Sequence, residues 1–180
     1  CEPAQAKALL AQAGFPDGLE LTFTFDTQQR VSAELWQAAL AEIGVTLKLE
    51  EVEWMVRWDK ARSDPANAPE AYMISWFPDV VGPYSYLYNL FHSQEPPTFN
   101  LGFYSNPVFD ALIDEGNVRS SADRDAAVEK FIAAQRLLNE EFAAIFIQDL
   151  PDPHVVAADL QGLVNNPAYN NTVFWVEVRR

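Results

Sequence analysis

Leu19-Glu20-Leu21-Thr22-Phe23-Thr24-Phe25 and Val45-Thr46-Leu47-Lys48-Leu49-Glu50 decide the fold. In the first run Leu21, Phe23 and Phe25 alternate with Glu20, Thr22 and Thr24. In the second, Val45, Leu47 and Leu49 alternate with Thr46, Lys48 and Glu50. A period of two is that of a strand with one face on a core. Between the runs, Leu35, Trp36, Ala39, Leu40 and Ile43 recur at three- and four-residue steps. That is the stripe of a helix over 29–43, and Gly44 stands where a helix-ending glycine belongs. Strand, helix, strand over this span predicts a βαβ unit with parallel strands and a right-handed crossover.

Upstream, residues 4–13 read as a helix with Leu9, Leu10 and Ala13 on one face, stopped by Gly14-Phe15-Pro16-Asp17-Gly18. Downstream, Trp54, Trp58 and Ala61 predict a helix over 54–62, followed by a loop over 63–69 and a short buried strand over 71–76. A helix over 84–91 and a loop over 92–104 come next. Ser105 or Asn106 should cap a helix that has Pro107 in its first turn and buries Phe109, Leu112 and Ile113. A longer helix over 122–141, capped by Ser121 or Asp123, is expected to bury Val128, Phe131, Ile132, Gln135 and Leu138. Residues 143–148 read as another buried strand and 172–176 as a final strand-like run.

The 180 residues hold 12 Lys and Arg against 26 Asp and Glu, a net charge of −14, with 49% apolar residues. Length and apolar content suffice for a packed core. The acidity argues against nucleic acid and anionic membrane surfaces as partners, since both select Lys and Arg clusters. No apolar run reaches the roughly 18 residues of a bilayer-spanning helix, and no signal peptide is expected within the chain. The single cysteine, Cys1, excludes an internal disulfide framework and a thiolate metal cluster. It is expected to mark a cut inside a longer chain rather than a lipidated terminus. His92 and His154 are far apart and no calcium loop is present, so no metal site is expected. There is no G-x-S-x-G elbow, no reactive-cysteine context and no glycine-rich phosphate loop, so no catalytic residue or cofactor is assigned. With 26 acids, chance carboxylate pairs carry little weight as a hydrolytic site. Asn170-Asn171-Thr172 is a formal glycosylation sequon.

Ser75-Trp76-Phe77-Pro78-Asp79, followed by Tyr84, Tyr86 and Tyr88, begins at the carboxyl end of a predicted strand. Open α/β sheets bind ligands in the crevice at that end. A carboxylate among aromatic rings suits an ammonium group, through charge-assisted hydrogen bonds and cation–π attraction. The same residues equally suit an Asp79 that caps a turn and rings that fill a core.

The order of several pieces resembles the second lobe of family 5 extracellular solute-binding proteins, the oligopeptide- and dipeptide-type receptors of ABC importers. They are the opening stretch from Pro3 to Gly18, Leu40-Ala41-Glu42-Ile43-Gly44-Val45, Glu53-Trp54, Ser75-Trp76-Phe77-Pro78-Asp79 and Phe103-Tyr104-Ser105-Asn106-Pro107 with Phe109, Asp110, Leu112 and Ile113. The resemblance implies a periplasmic-binding-protein-like (type II) α/β lobe, with a mixed, mostly parallel sheet flanked by helices. Residues 1–144 would be the second lobe. Residues 145–180 would be a returning hinge strand and a tail that packs on an absent first lobe.

The resemblance further implies a trap of two lobes that closes over its ligand. Asp79 matches the acid that pairs with a peptide's α-amino group, and Trp54, Met73, Trp76 and Phe77 match pocket-lining positions. The chain departs from the pattern at Met73, where some peptide binders carry arginine, at Gly82, where many members carry an acid, and in a longer 64–70 loop. The expected function is non-catalytic capture of a small solute, a peptide first among candidates that include sugars, nickel complexes and opines. Delivery would be to the transmembrane permease subunits of an ABC importer, from a periplasmic or otherwise extracytoplasmic location. Contact with the membrane would run only through the permease or a lipid anchor outside these residues. The alternatives are a carboxylate-dependent hydrolase and a sensory or scaffold domain that reuses the lobe.

Overall fold

The computed structural model describes residues 2–77, 80, 82–149, 154–164 and 174–180. The chain divides into two units, one of residues 1–75 with 93–104, the other of 76–92 with 105–180.

The first unit is built around β1 (Leu19–Phe25). It pairs in parallel with β2 (Val45–Glu51), from Leu19 opposite Val45 to Phe25 opposite Glu51. On its other side lies β3 (Ala71–Tyr72), with Phe23 opposite Ala71 and Thr24 opposite Tyr72. The sheet order is β2-β1-β3, all parallel. The connection from β1 to β2 is α2 (Arg30–Ala41), as the period change predicts. Asp26 caps the short 3-10 turn before it, accepting from the Gln28 N–H. Phe23, Phe25, Val45 and Leu47 form the core beneath α2 together with Ala33. Each such Phe contributes about 1.5–3 kcal/mol by leaving water.

Three expectations are corrected in this unit. In α1 (Pro3–Gln12) Leu10 reaches the core, but Leu9 is exposed. In α2 the inward face holds Ala33, Trp36 and Leu40, with Ile43 just past its end also on the core, and Leu35 is 66% exposed. At about 100° per residue, Leu35 lies about 200° round the helix from the fully buried Ala33, and Ala39 about 240°, so neither shares its face. The predicted strand over 71–76 is only two residues long and half-buried. Its register explains why. Ile74 would pair with Asp26, where β1 has already ended in a capped turn, so Ile74 to Trp76 have no ladder to join.

The remaining elements of this unit follow expectation more closely. Next to the sheet lies α3 (Trp54–Ser63), and the 64–70 loop contains a single 3-10 turn over Pro65–Asn67. The 93–104 segment is tied to α3 by a Trp58 Nε1 hydrogen bond to the Thr98 carbonyl at 2.6 Å.

The second unit holds α4 (Pro83–Phe91), α5 (Pro107–Arg119) and α6 (Arg124–Glu140). Asn106 is the cap of α5, its Oδ1 accepting from the Val108 and Phe109 N–H groups, with Pro107 at the first position. Asp123 caps α6. Phe109 and Ile113 of α5 are buried, and Phe91 meets the Phe109 ring edge-on at 6.3 Å. The inner stripe of α6 is Ala127, Phe131, Ala134 and Leu138, not the larger set expected. Val128, Ile132 and Gln135 are exposed because they lie about 80–140° round from Ala127. Gly116 admits the Phe131 ring, since a Cβ there would sit 2.8 Å from it.

Residues 143–149 form no strand, and Ile145, Phe146 and Ile147 are exposed, which corrects the buried strand over 143–148. No described strand hydrogen-bonds to them. Trp175–Glu177 is a 3-10 turn rather than a strand, while Thr172, Val173 and the sequon lie outside the described residues. Among the described residues no helix is long and apolar enough to cross a membrane.

Both strand starts share one close approach. Gly18 has φ +90°, and a Cβ there would collide with the Gly44 carbonyl oxygen. Gly18→Ala should therefore lower stability by about 2 kcal/mol or more, read as the urea unfolding midpoint. An unchanged midpoint would show that this approach does not set the register.

Candidate functional site

The strand alternation that sends Phe23 and Phe25 to the core sends Thr22 and Thr24 to the opposite face of β1, beside Glu50 of β2. There α3 and the 64–70 loop leave a cleft of about 410 Å³, lined by Thr22, Thr24, Glu50, Arg57, Lys60 and Glu70 among others. Glu70 Oε2 accepts the Thr22 N–H at 2.7 Å, one residue before β3 begins. Thr24 is 5% exposed.

Arg57 governs this face. The residue is 4% exposed, and its guanidinium donates from Nη1 to the Thr24 carbonyl at 3.1 Å and from Nη2 to the Met73 carbonyl at 3.2 Å. Its Cζ lies 5.2 Å from the Trp54 ring centroid and 5.7 Å from that of Tyr72, within cation–π range. No described carboxylate makes an ion pair with it. Burial lowers the Arg57 pKa, with Tyr72 and Asp26 nearby opposing that shift. An arginine stays charged regardless. Burial raises the Tyr72 pKa, opposed by the charge of Arg57 and by a backbone hydrogen bond from Gly102.

The sequence-predicted residues fall in different places. Trp54 begins α3, half-buried, with Arg57 stacked on its ring. Met73 follows β3, packs against the core under α2, and gives its carbonyl to Arg57. Arg57 thus brings Trp54 and Met73 together. Trp76 and Phe77 belong to the second unit, Trp76 half-buried and Phe77 56% exposed. In α4, the Tyr84 and Tyr88 rings meet tilted by 31°, with centroids 5.2 Å apart. Asp79 lies outside the described residues. Sequence reasoning missed Arg57, although a signal existed. It stands three residues from Trp54 and four from Ala61, on the stripe assigned to the buried face. Among the described residues no group of three or more His, Cys, Asp or Glu is placed to hold a metal ion.

A parallel βαβ sheet with helices packed about it and a polar cleft on one face is an α/β lobe, an architecture that receptors and enzymes share. Residues 1–97 match the middle part of the bacterial extracellular solute-binding proteins of family 5, and the chain belongs to that family. It is 32% identical over 121 residues to heme-binding protein A of Haemophilus influenzae, covering 63% of this chain and 22% of the relative. A periplasmic binding protein associated with an ABC transporter in Helicobacter pylori, solved with the peptide STSA, is 28% identical with a TM-score of 0.66, over 77% of this chain and 27% of that one. HbpA2 of Haemophilus parasuis gives a TM-score of 0.77 at 22% identity, over 98% of this chain and 35% of that one. The fold is the α/β, type II periplasmic-binding-protein-like one. The chain spans between 22% and 35% of the length of these relatives.

Burial of the Tyr72 phenol carries a pH dependence, which the nearby charge of Arg57 lessens. A phenol whose folded pKa is raised adds stability that is full below its unfolded pKa of about 10 and is lost as pH rises through the folded value. Tyr72→Phe should therefore reduce the loss of stability as pH rises above about 10, measured by urea unfolding at each pH. Arg57→Lys should cost about 1–3 kcal/mol, because one ammonium cannot reproduce the fork across two carbonyls. Equal unfolding midpoints for Arg57→Lys and the parent chain would remove Arg57 from this role.

Proposed function

We propose that this chain is one lobe of an extracytoplasmic receptor that captures a small solute, a peptide first, and presents it to the transmembrane permease of an ABC importer without chemical change. The observation that carries this reading is membership of the solute-binding family together with likeness to a Helicobacter protein solved with a peptide bound. Asp79 would take the ligand's α-amino group, and Trp54, Met73, Trp76 and Phe77 would line the pocket. Residues 145–180 would return to and pack on the other lobe, and the whole receptor would be periplasmic, free or lipid-anchored. Heme is the second reading, favoured by the 32% identity to a Haemophilus protein named for that ligand.

In the whole receptor, Asp79→Ala should weaken peptide binding by about 1.5–3 kcal/mol, the worth of a hydrogen bond to a charged group. An N-acetylated peptide should lose a similar amount against the parent receptor. Calorimetry reads both, and undiminished affinity would retire Asp79 as the amine anchor. Mass spectrometry should recover the peptide intact after incubation, whereas cleavage would turn the reading to a hydrolase. Saturable heme binding with no peptide binding would select the second reading. The 180-residue chain alone should bind peptide weakly or not at all, and micromolar binding to it would sink the two-lobe account.

A further inference from the structure

We propose that Arg57 is a positioning residue of the ligand pocket, setting the Trp54 ring and the chain at Met73 in place without itself touching the ligand. The inference rests on the reading that Trp54 and Met73 line that pocket, whichever of peptide and heme fills it. The two residues come from different elements, one opening α3 and the other following β3. Arg57 is what they share. It stands three residues after Trp54, so the two side chains are neighbours on the helix surface, and its Cζ lies 5.2 Å from the Trp54 ring centroid. Glu53 fixes the backbone of that helix start, accepting from the Val56 N–H, which leaves the orientation of the ring to the guanidinium. At Met73 the ladder is giving out. The Met73 N–H reaches the Thr24 carbonyl only at 3.4 Å, beyond the ordinary range of about 2.7–3.2 Å. Arg57 Nη2 on the Met73 carbonyl at 3.2 Å is the firmer tie, and Nη1 anchors the same guanidinium to the Thr24 carbonyl. Stability alone does not account for such a residue. A buried cation with no ion pair among the described residues costs free energy that an apolar side chain of similar volume would save. An apolar chain cannot hold a backbone carbonyl and a ring face at fixed positions, because its contacts have no direction.

The test uses the whole receptor and two probes titrated separately, the peptide STSA and heme. For the probe that the parent binds, Arg57→Lys and Arg57→Met should each weaken binding about tenfold, the size of one coupled contact. Trp54→Leu should weaken it as well. Arg57→Met combined with Trp54→Leu should lose less than the product of the single effects, because Arg57 acts through the ring. Arg57→Met separates positioning from stability, since the charge leaves together with its hydrogen bonds and the urea midpoint is expected to stay near the parent's while affinity falls. Gly18→Ala, strained at the other end of β1 from Thr24, should bind as the parent does under conditions where it is folded. Parent-like affinity in both Arg57 variants, with weak binding by Trp54→Leu, would overturn the proposal and leave the pocket reading standing. Fully multiplicative losses in the double variant, or an equal loss in Gly18→Ala, would also overturn it. Unchanged affinity in Trp54→Leu itself would remove the pocket reading and the proposal together.

Discussion

The fork of Arg57 across the Thr24 and Met73 carbonyls is the interaction on which the polar side of the sheet depends. It joins α3 to the central strand and to the chain leaving β3. Burying a guanidinium without a carboxylate is unfavourable, and two backbone carbonyls and two ring faces offset that cost only in part. The contrast with the other face is sharp. There Phe23, Phe25, Val45 and Leu47 meet α2 mainly through apolar contact, which is non-directional and tolerates repacking, beside one hydrogen bond from Gln37 Nε2 to the Leu47 carbonyl. The Arg57 side needs fixed geometry, because a hydrogen bond weakens steeply with misalignment.

The fold was legible where a periodic signal had a single solution. The alternation of Leu21, Phe23 and Phe25, its repeat at Val45 and Leu47, and the glycine between helix and strand sufficed for the parallel β1-α2-β2 unit. Caps were equally plain, because Asn106 before Pro107 and Asp123 before α6 satisfy amide groups that nothing else in the sequence could reach. Helix faces were less legible. In α2 and α6 large apolar side chains suggest the inward face, yet Ala33, Ala127 and Ala134 are buried while Leu35 and Ile132 are not. A small residue marks where a helix comes close to its neighbour, and only packing reveals it. Strand length over 71–76 failed for a related reason. A run of strand-forming residues says nothing about whether its partner has already turned away.

The site was legible in part. Trp54 and Met73 were named from the resemblance, and both meet Arg57, which composition had no reason to select. A charged residue on an apolar stripe reads as a solvated exception. It becomes central only once the carbonyls of Thr24 and Met73 are known to lie within its reach. Thr24 was hidden likewise, since an alternating strand predicts polar residues on a wet face and this one is covered by a helix and a loop.

The Glu70 carboxylate on the Thr22 N–H also protects the sheet. β3 pairs with β1 over only two residues, which leaves the earlier part of β1 with backbone groups that a foreign strand could engage. A side chain fills the next rung, and it cannot continue a ladder as a backbone would. The border of the sheet is thus sealed by an acid directly before β3 starts, so a passing extended chain meets a charge where it would need an open donor.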